Sequence, residues 1–295
     1  MLYEAMKEEI AKTEECGKRT YDGALQNRVN EAYVVGAGDS FAAALVIQGV
    51  TYGRFKAVDP YEAQFSYVSL KKPYVIVSVS GRTKENILVA KKIRDRGGKV
   101  IAVTANPESE LARNSNTVVV IDYQRPKHPL PGTLSFTLSV IALYGLAGVE
   151  INSFKEIVNT RPRKLVGLEP IFIGTLGGYG VAYYSALKFY EIFGSKARFE
   201  RTEQFCHATM FSVRENDQVI VYPSENDRRA MELVERIKDK FNVAIYDRCN
   251  GETKPLCQIL DFQESLAEFI KELGLEKPYY LITKDILNIS SELIY

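Results

Sequence analysis

A short apolar strand that runs into a glycine turn and then a helix occurs twice in this chain. No other feature narrows the possible folds as much. The first copy is Ala32–Gly36, followed by a helix at Ser40–Tyr52. The second is a strand at Pro170–Gly174, a turn holding Gly174, Gly177, Gly178 and Gly180, and a helix at Val181–Phe193. Strands that alternate with helices build parallel sheets, because a parallel neighbour needs a crossover and the crossover is usually helical. Both halves continue the alternation. In the first, a short helix is expected at Tyr61–Ser69, a strand at Pro73–Ser80 and a helix at Lys84–Arg96, stopped by Gly97 and Gly98. Strands at Lys99–Thr104 and Thr117–Ile121 and an apolar helix at Thr133–Gly148 complete it. In the second, a strand at Gln218–Tyr222, a helix at Asp227–Phe241 and a strand at Val243–Asp247 follow. Residues 2–28 read as helical and highly charged. The expectation is an α/β fold of two pseudo-repeated subdomains, 1–150 and 151–295.

Composition limits what such a fold can be used for. The chain has 295 residues, 46% of them apolar and 25% charged, as in soluble globular proteins. Its net charge of +1 gives no field that draws it to nucleic acid or to a membrane surface. No apolar run reaches the length of a membrane span, and the charged start Met-Leu-Tyr-Glu-Ala-Met-Lys-Glu-Glu lacks the features of a signal peptide. A cytoplasmic protein with no membrane or nucleic-acid partner is expected. Cys16, Cys206, Cys249 and Cys257 form no C-x-x-C pair, and His128 and His207 are the only histidines. Neither a metal site nor a cofactor is therefore expected. Cys249 and Cys257 are open to a disulfide if the source is a hyperthermophile.

Chemistry concentrates at residues 76–86, Ile-Val-Ser-Val-Ser-Gly-Arg-Thr-Lys-Glu-Asn. A strand that ends in hydroxyl residues just where a helix begins is suited to hold an anion. The first amides of the helix have no partners within it, and its dipole favours negative charge there. Ser78, Ser80 and Thr83 add hydroxyl donors, and Gly81 lets the backbone come close. The same residues also fit a plain N-cap, with Ser80 or Thr83 taking one amide. The proline-rich stretch Gln124–Gly132 reads as a loop, with or without a ligand beneath it.

Four motifs together resemble the sugar isomerase (SIS) superfamily. They are most similar to the isomerase half of glucosamine-6-phosphate synthase and to related archaeal sugar-phosphate isomerases and deaminases. Gly36-Ala-Gly-Asp-Ser40 is similar to the family's first glycine-serine turn, and Ser78-Val-Ser-Gly-Arg-Thr83 to its phosphate loop. Ala186-Leu-Lys-Phe-Tyr-Glu191 is similar to its second-half helix, and His207 falls at the place of its ring-opening histidine. The resemblance implies two SIS-type subdomains, each a parallel sheet flanked by helices in the α/β/α, flavodoxin-like manner. The first carries the phosphate loop, and the second carries the catalytic helix and the C-terminal tail. It also implies a sugar-phosphate substrate and a homodimer in which His207 reaches the partner's site.

The family reaction moves a proton between C1 and C2 of an open-chain sugar phosphate. That requires an anchor for the phosphate, an acid/base to open the ring and a base at the reacting carbons. The resemblance gives the anchor to Ser78, Ser80, Gly81 and Thr83, and further sugar contacts to Gly38 and Ser40. Ser40 fits equally as the cap of its helix. Glu191 becomes the proton-transfer base, with a pKa raised by burial in a closed site. Its other reading is an exposed helix residue paired with Lys188 or Ser195. Lys188 resembles a site-organising lysine, or is a surface ion-pair partner. His207 becomes the ring-opening group. Lys284, in Pro278-Tyr-Tyr-Leu-Ile-Thr-Lys284, resembles the family's tail lysine, which forms a Schiff base, although one residue is extra; its other reading is a charged residue at a helix start.

The chain also departs from the synthase pattern. Ala208-Thr209 follow the histidine instead of Gly-Pro, Gln204 replaces a glutamate, and Asp39 replaces a small hydroxyl residue. Leu-Pro-Gly at 130–132 is similar instead to the bifunctional phosphoglucose/phosphomannose isomerases. Leu2 stands where a glutaminase half would place its cysteine, so a stand-alone isomerase or deaminase is expected. The phosphoglucose/phosphomannose isomerases are the alternative within the superfamily. A sugar-phosphate sensor without catalysis is the alternative outside it, although no basic helix-turn-helix is read here. A dinucleotide-binding dehydrogenase ranks low, because Phe41 stands where G-x-G-x-x-G needs its third glycine.

Overall fold

The computed structural model describes residues 2–65, 69–126, 129–215 and 217–295. Two helices, α1 (Leu2–Ala11) and α2 (Thr13–Leu25), precede the first strand, β1 (Ala32–Val35). Then come α3 (Asp39–Val50), β2 (Phe55–Val58), α4 (Glu62–Phe65), β3 (Tyr74–Val77), α5 (Lys84–Asp95) and β4 (Val100–Thr104). They are followed by α6 (Glu110–Arg113), β5 (Thr117–Val120), α7 (Leu134–Ala147) and α8 (Phe154–Val158). The second series is β6 (Ile171–Gly174), α9 (Gly177–Phe193), β7 (Arg198–Arg201), α10 (Thr202–His207) and β8 (Gln218–Tyr222). It ends with α11 (Arg228–Ile237), β9 (Asn242–Ile245), α12 (Lys254–Glu272) and α13 (Lys284–Ile294). Residues 66–68 of the helix expected at 61–69, and Lys127 and His128 of the proline-rich stretch, lie outside the described residues.

Among the described residues the strands form two parallel sheets, ordered β2-β1-β3-β4-β5 and β7-β6-β8-β9. The expected α/β fold, with parallel sheets flanked by helices, is what the chain adopts. The central strands are runs of β-branched and other apolar residues buried on both faces, as parallel strands between helices must be. The edge strands β2 (Phe-Lys-Ala-Val) and β7 (Arg-Phe-Glu-Arg) went unread, because their charged, half-exposed residues hide the apolar signal.

The compact units are not the contiguous halves 1–150 and 151–295. One comprises residues 12–125, 134–150 and 284–295, and the other residues 1–11, 126–133 and 151–283. The reason lies in which core each helix covers. α1 packs on α12: the Tyr3 hydroxyl donates to Glu268 Oε1 at 3.1 Å, and Lys7 pairs with Glu264. In the same unit Gln263 Nε2 donates to Thr133 O at 3.1 Å, and the Tyr184 hydroxyl donates to Gly132 O at 2.7 Å. α13 belongs with the phosphate-loop segment instead, so the C-terminal tail is not part of the unit that carries α9.

α7 in the first unit is buried along its whole length, and α12 in the second is buried from Lys254 to Ala267. α7 is mostly apolar, buries Ser135, Thr137 and Ser139 as well, and packs on α2. α12 buries polar groups as well, and most of them are bonded, although Gln258 Oε1 accepts no hydrogen bond among the described residues. Asp261 pairs with Arg248 at 2.9 Å and accepts the amide of Arg161 at 2.7 Å. Gln258 Nε2 donates to Pro223 O at 2.8 Å and Tyr246 O at 3.0 Å. A disulfide, Cys249–Cys257, ties the segment after β9 to the start of α12.

The second glycine cluster is not a turn. α9 begins at Gly177, so Gly177, Gly178 and Gly180 are helical. Gly178 is there for contact, since a Cβ on it would lie 2.2 Å from Tyr222 O at the end of β8. The turn proper is Thr175-Leu176, and Leu176 (φ 51°, ψ −120°) repeats the unusual conformation of Gly38 (φ 56°, ψ −125°) at the head of α3. The pseudo-repeat therefore extends to backbone dihedrals.

Candidate functional site

In the first unit β1 and β3 are neighbours, with Val35 beside Ile76. β1 leads on to β2 on one side and β3 to β4 on the other, so the strand order reverses between them. In doubly wound sheets, ligands sit outside the carboxyl ends of the strands at this reversal. Two segments leave that edge here, Gly36–Ser40 after β1 and Ser78–Thr83 after β3. The structure thus brings Gly38, Ser40, Ser78, Ser80, Gly81 and Thr83 to one edge of one sheet.

The loop after β3 is held from within. The Ser78 and Thr83 hydroxyls are 3.1 Å apart, and Ser78 Oγ accepts the Gly81 amide at 3.1 Å. Ser80 Oγ accepts the Arg82 amide at 3.3 Å. It is braced from β4 and α6 as well: Thr104 Oγ1 donates to Val79 O at 3.2 Å, and the Leu111 amide donates to Gly81 O at 3.1 Å. Gly81 has φ +64°, and a Cβ on it would fall 2.1 Å from Ser109 Oγ. Only glycine fits this position. The buried Asn86 of α5 donates to Val77 O at 3.0 Å and fixes the helix start to the end of the strand.

The N-cap alternative for this loop is not realised. Thr83 is at the N-cap position of α5, but no side-chain hydrogen bond caps the helix. Its hydroxyl turns to Ser78 instead. The 12-residue helix therefore presents its first amides, with their positive dipole end, to the loop's hydroxyl groups. Ser40 is not a cap either. Gly38 holds that place, without a side-chain bond, and Ser40 is the second residue of α3. Gly36 lies so close to Ser40 that a Cβ would meet its carbonyl at 2.7 Å.

The second unit carries Lys188, Glu191 and His207. Lys188 is fully buried, and its ammonium group lies 2.6 Å from Glu191 Oε2 and 5.3 Å from the centre of the Tyr184 ring. Of the two readings of Lys188, the surface ion pair is excluded by this burial. The Glu191 side chain is 37% exposed, so its carboxylate faces a buried cation on one side and open space on the other. His207 is the last residue of α10, exposed, with Nε2 3.2 Å from Glu203 Oε1. Glu203 also accepts from Arg229 Nε at 2.9 Å, and that guanidinium, with a smaller contribution from His207, holds its carboxyl below the usual range.

Within a single chain the helix geometry separates Glu191 from His207. α9 starts beyond the carboxyl end of β6, and Glu191 lies 14 residues into it (191 − 177), about 21 Å along the axis. α10 starts at the carboxyl end of β7 and is only 6 residues long. Lys284, exposed at the first position of α13, belongs to the phosphate-loop unit. A cleft of about 710 Å³ in the second unit, lined by Tyr190, Lys196, Arg198 and Arg214 among others, includes none of the expected site residues. Among the described residues no group of three His, Cys, Asp or Glu side chains is placed to hold a metal ion, and no helix is long and apolar enough to cross a membrane.

Sequence reasoning missed the supports of the loop, namely Asn86, Thr104 and Ser109. Only Ser109 left a signal, as a serine at the head of the short helix α6.

The sheet order and the hydroxyl loop at its reversal define a doubly wound α/β domain with an anion-binding type of loop at its switch point. Residues 27–147 match the family model described as SIS domain. Among curated proteins, the chain is similar to the isomerizing glutamine–fructose-6-phosphate aminotransferase of Bacillus licheniformis, 28% identical over 149 residues. That match takes in 48% of this chain but only 25% of the relative, so the chain spans a small part of the length of such proteins. Among solved structures it is similar to glucosamine-6-phosphate deaminase from Thermotoga maritima, with TM-score 0.70 and 20% identity over 89% of this chain and 94% of that one. The tagatose-6-phosphate ketose/aldose isomerase of Escherichia coli gives TM-score 0.66 and 16% identity over 90% and 93%. These two likenesses extend the shared fold over nearly the whole chain.

Proposed function

We propose that this protein binds a hexose or hexosamine 6-phosphate and moves a proton between C1 and C2 of the open-chain sugar. The result is aldose–ketose isomerisation or, with an amino sugar, release of ammonia when water attacks the rearranged imine. The observation that carries the reading is the uncapped start of α5 facing the hydroxyls of Ser78, Ser80 and Thr83 at the strand-order reversal. Phosphate bound there supplies interaction energy remote from the reacting carbons, which orients them. The names of the similar proteins, an aminotransferase, a deaminase and a ketose/aldose isomerase acting on sugar 6-phosphates, support the same substrate class.

In this reading Glu191 takes the proton from one carbon and returns it to the next, without a metal. The buried ammonium group of Lys188 holds the carboxylate in place. His207 opens the sugar ring of a second copy in a homodimer. Its exposure and its separation from Glu191 within one chain support that assignment. Lys284 offers a primary amine to the open-chain carbonyl, and Gly38 and Ser40 contact the sugar.

The test is a panel of purified sugar 6-phosphates with ketose and ammonia both assayed. Ammonia from glucosamine 6-phosphate identifies a deaminase; ketose without ammonia identifies an isomerase, and activity on both glucose and mannose 6-phosphates identifies the bifunctional kind. Glu191→Gln is expected to lose turnover and keep sugar-phosphate binding. Binding with no turnover by the unaltered protein would leave a sensor and overturn the catalytic reading.

A further inference from the structure

The stretch Ser78–Lys84 contains two cations, Arg82 and Lys84; the last turn of α13 engages Lys84, and Tyr295, the residue after the helix, engages Arg82. The Arg82 guanidinium lies 5.4 Å from the centre of the Tyr295 ring, and Lys84 Nζ donates to the Glu292 carbonyl at 2.7 Å. α13 buries none of its own residues. Its place beside the loop therefore does not come from an apolar seat, and these two contacts tie its last turn to the head of α5. Arg82 and its partner ring are both exposed, so the contact is of the weak, reversible kind. A phosphate dianion offers a guanidinium a stronger, bidentate partner than an aromatic face does. Arg82 stands between Gly81 and Thr83, so its side chain originates inside the loop itself.

We propose that α13 regulates the phosphate loop by competing for Arg82. With the loop empty, Tyr295 holds the guanidinium. When a sugar phosphate binds, Arg82 leaves the ring for the phosphate oxygens and the last turn of α13 is released. Because ligand and ring compete for one cation, phosphate affinity and α13 order are reciprocally linked. This inference rests on the phosphate-binding reading above and adds a regulator to the same site.

The test is a mutant cycle read by calorimetric titration with glucosamine 6-phosphate, joined to hydrogen exchange across residues 284–294. Tyr295→Ala is expected to tighten binding two- to fivefold, and Arg82→Ala to weaken it about tenfold. In the Arg82→Ala background the change at Tyr295 has no further effect. Saturating ligand speeds exchange in α13 of the unaltered protein, but not in Arg82→Ala. An unchanged or weaker affinity in Tyr295→Ala, or the same effect of that change with and without Arg82, overturns the inference alone. Failure of the unaltered protein to bind the sugar phosphate at all overturns this inference and the functional reading together.

Discussion

Gly81 shows how one residue sets the shape of the loop. Its φ of +64° and the 2.1 Å approach of Ser109 to a built Cβ are two separate obstacles to any side chain. Gly81→Ala is expected to cost about 2–4 kcal/mol, one part from the left-handed backbone and one from overpacking against Ser109. Denaturant titration measures the total. Adding Ser109→Gly returns the packing part and leaves about 1–2 kcal/mol for the backbone. Full rescue by that second change would show that the conformation carries no cost. The need for glycine here was legible in the sequence, as was the order of Ser78, Ser80 and Thr83. That Thr83 gives its hydroxyl to Ser78 and leaves the helix uncapped was not. A Ser-x-Ser-Gly-x-Thr string reads the same whichever partner the hydroxyl takes.

Elements were readable where one physical signal dominated. β3, β4 and β8 are continuous apolar runs, and α5 has one apolar stripe and a double-glycine stop. α12 was not read, because Gln258, Asp261 and Gln263 break its apolar pattern although all three are buried. Their partners come from other elements, and only the tertiary structure supplies them. The disulfide at the head of α12 is expected to matter at this scale. It closes a short loop (sequence separation 8), for which constraint of the unfolded chain gives about 2–3 kcal/mol. Cys257→Ser should lower the stability of the second unit by that amount in oxidising buffer. The unaltered protein in reductant should fall to the same level, and phosphate binding at the other unit's loop should stay unchanged. Equal stability with and without reductant would contradict this.

At the scale of the whole molecule, the two units exchange their chain ends. Amphipathic helices announce that they cover a core but not which core, so the assignment of α1 and α13 could not be read from residues 1–11 or 284–295. Both units also bury tyrosines. Burial, helped by Tyr33, pushes the Tyr74 phenol up to about 12, and burial raises Tyr222 and Tyr246 as well. A folded pKa above the unfolded value near 10 means that the neutral phenols favour the native state. That stability is complete below pH 10 and is lost as pH rises through the raised folded values. Guanidinium midpoints between pH 8 and 12 should fall only above about pH 10. Tyr74→Phe should reduce that fall, and a flat profile would contradict the burial of these phenols.

The central claim is that the hydroxyl loop at the carboxyl edge of the first sheet holds the phosphate of a sugar 6-phosphate. The most direct measurement is calorimetric titration of fructose 6-phosphate and of fructose into the unaltered protein and into Thr83→Val. The account predicts binding of the phosphorylated sugar only, weakened at least tenfold in Thr83→Val with the fold intact by circular dichroism. Equal binding of both sugars, or no change on losing the Thr83 hydroxyl, would contradict it.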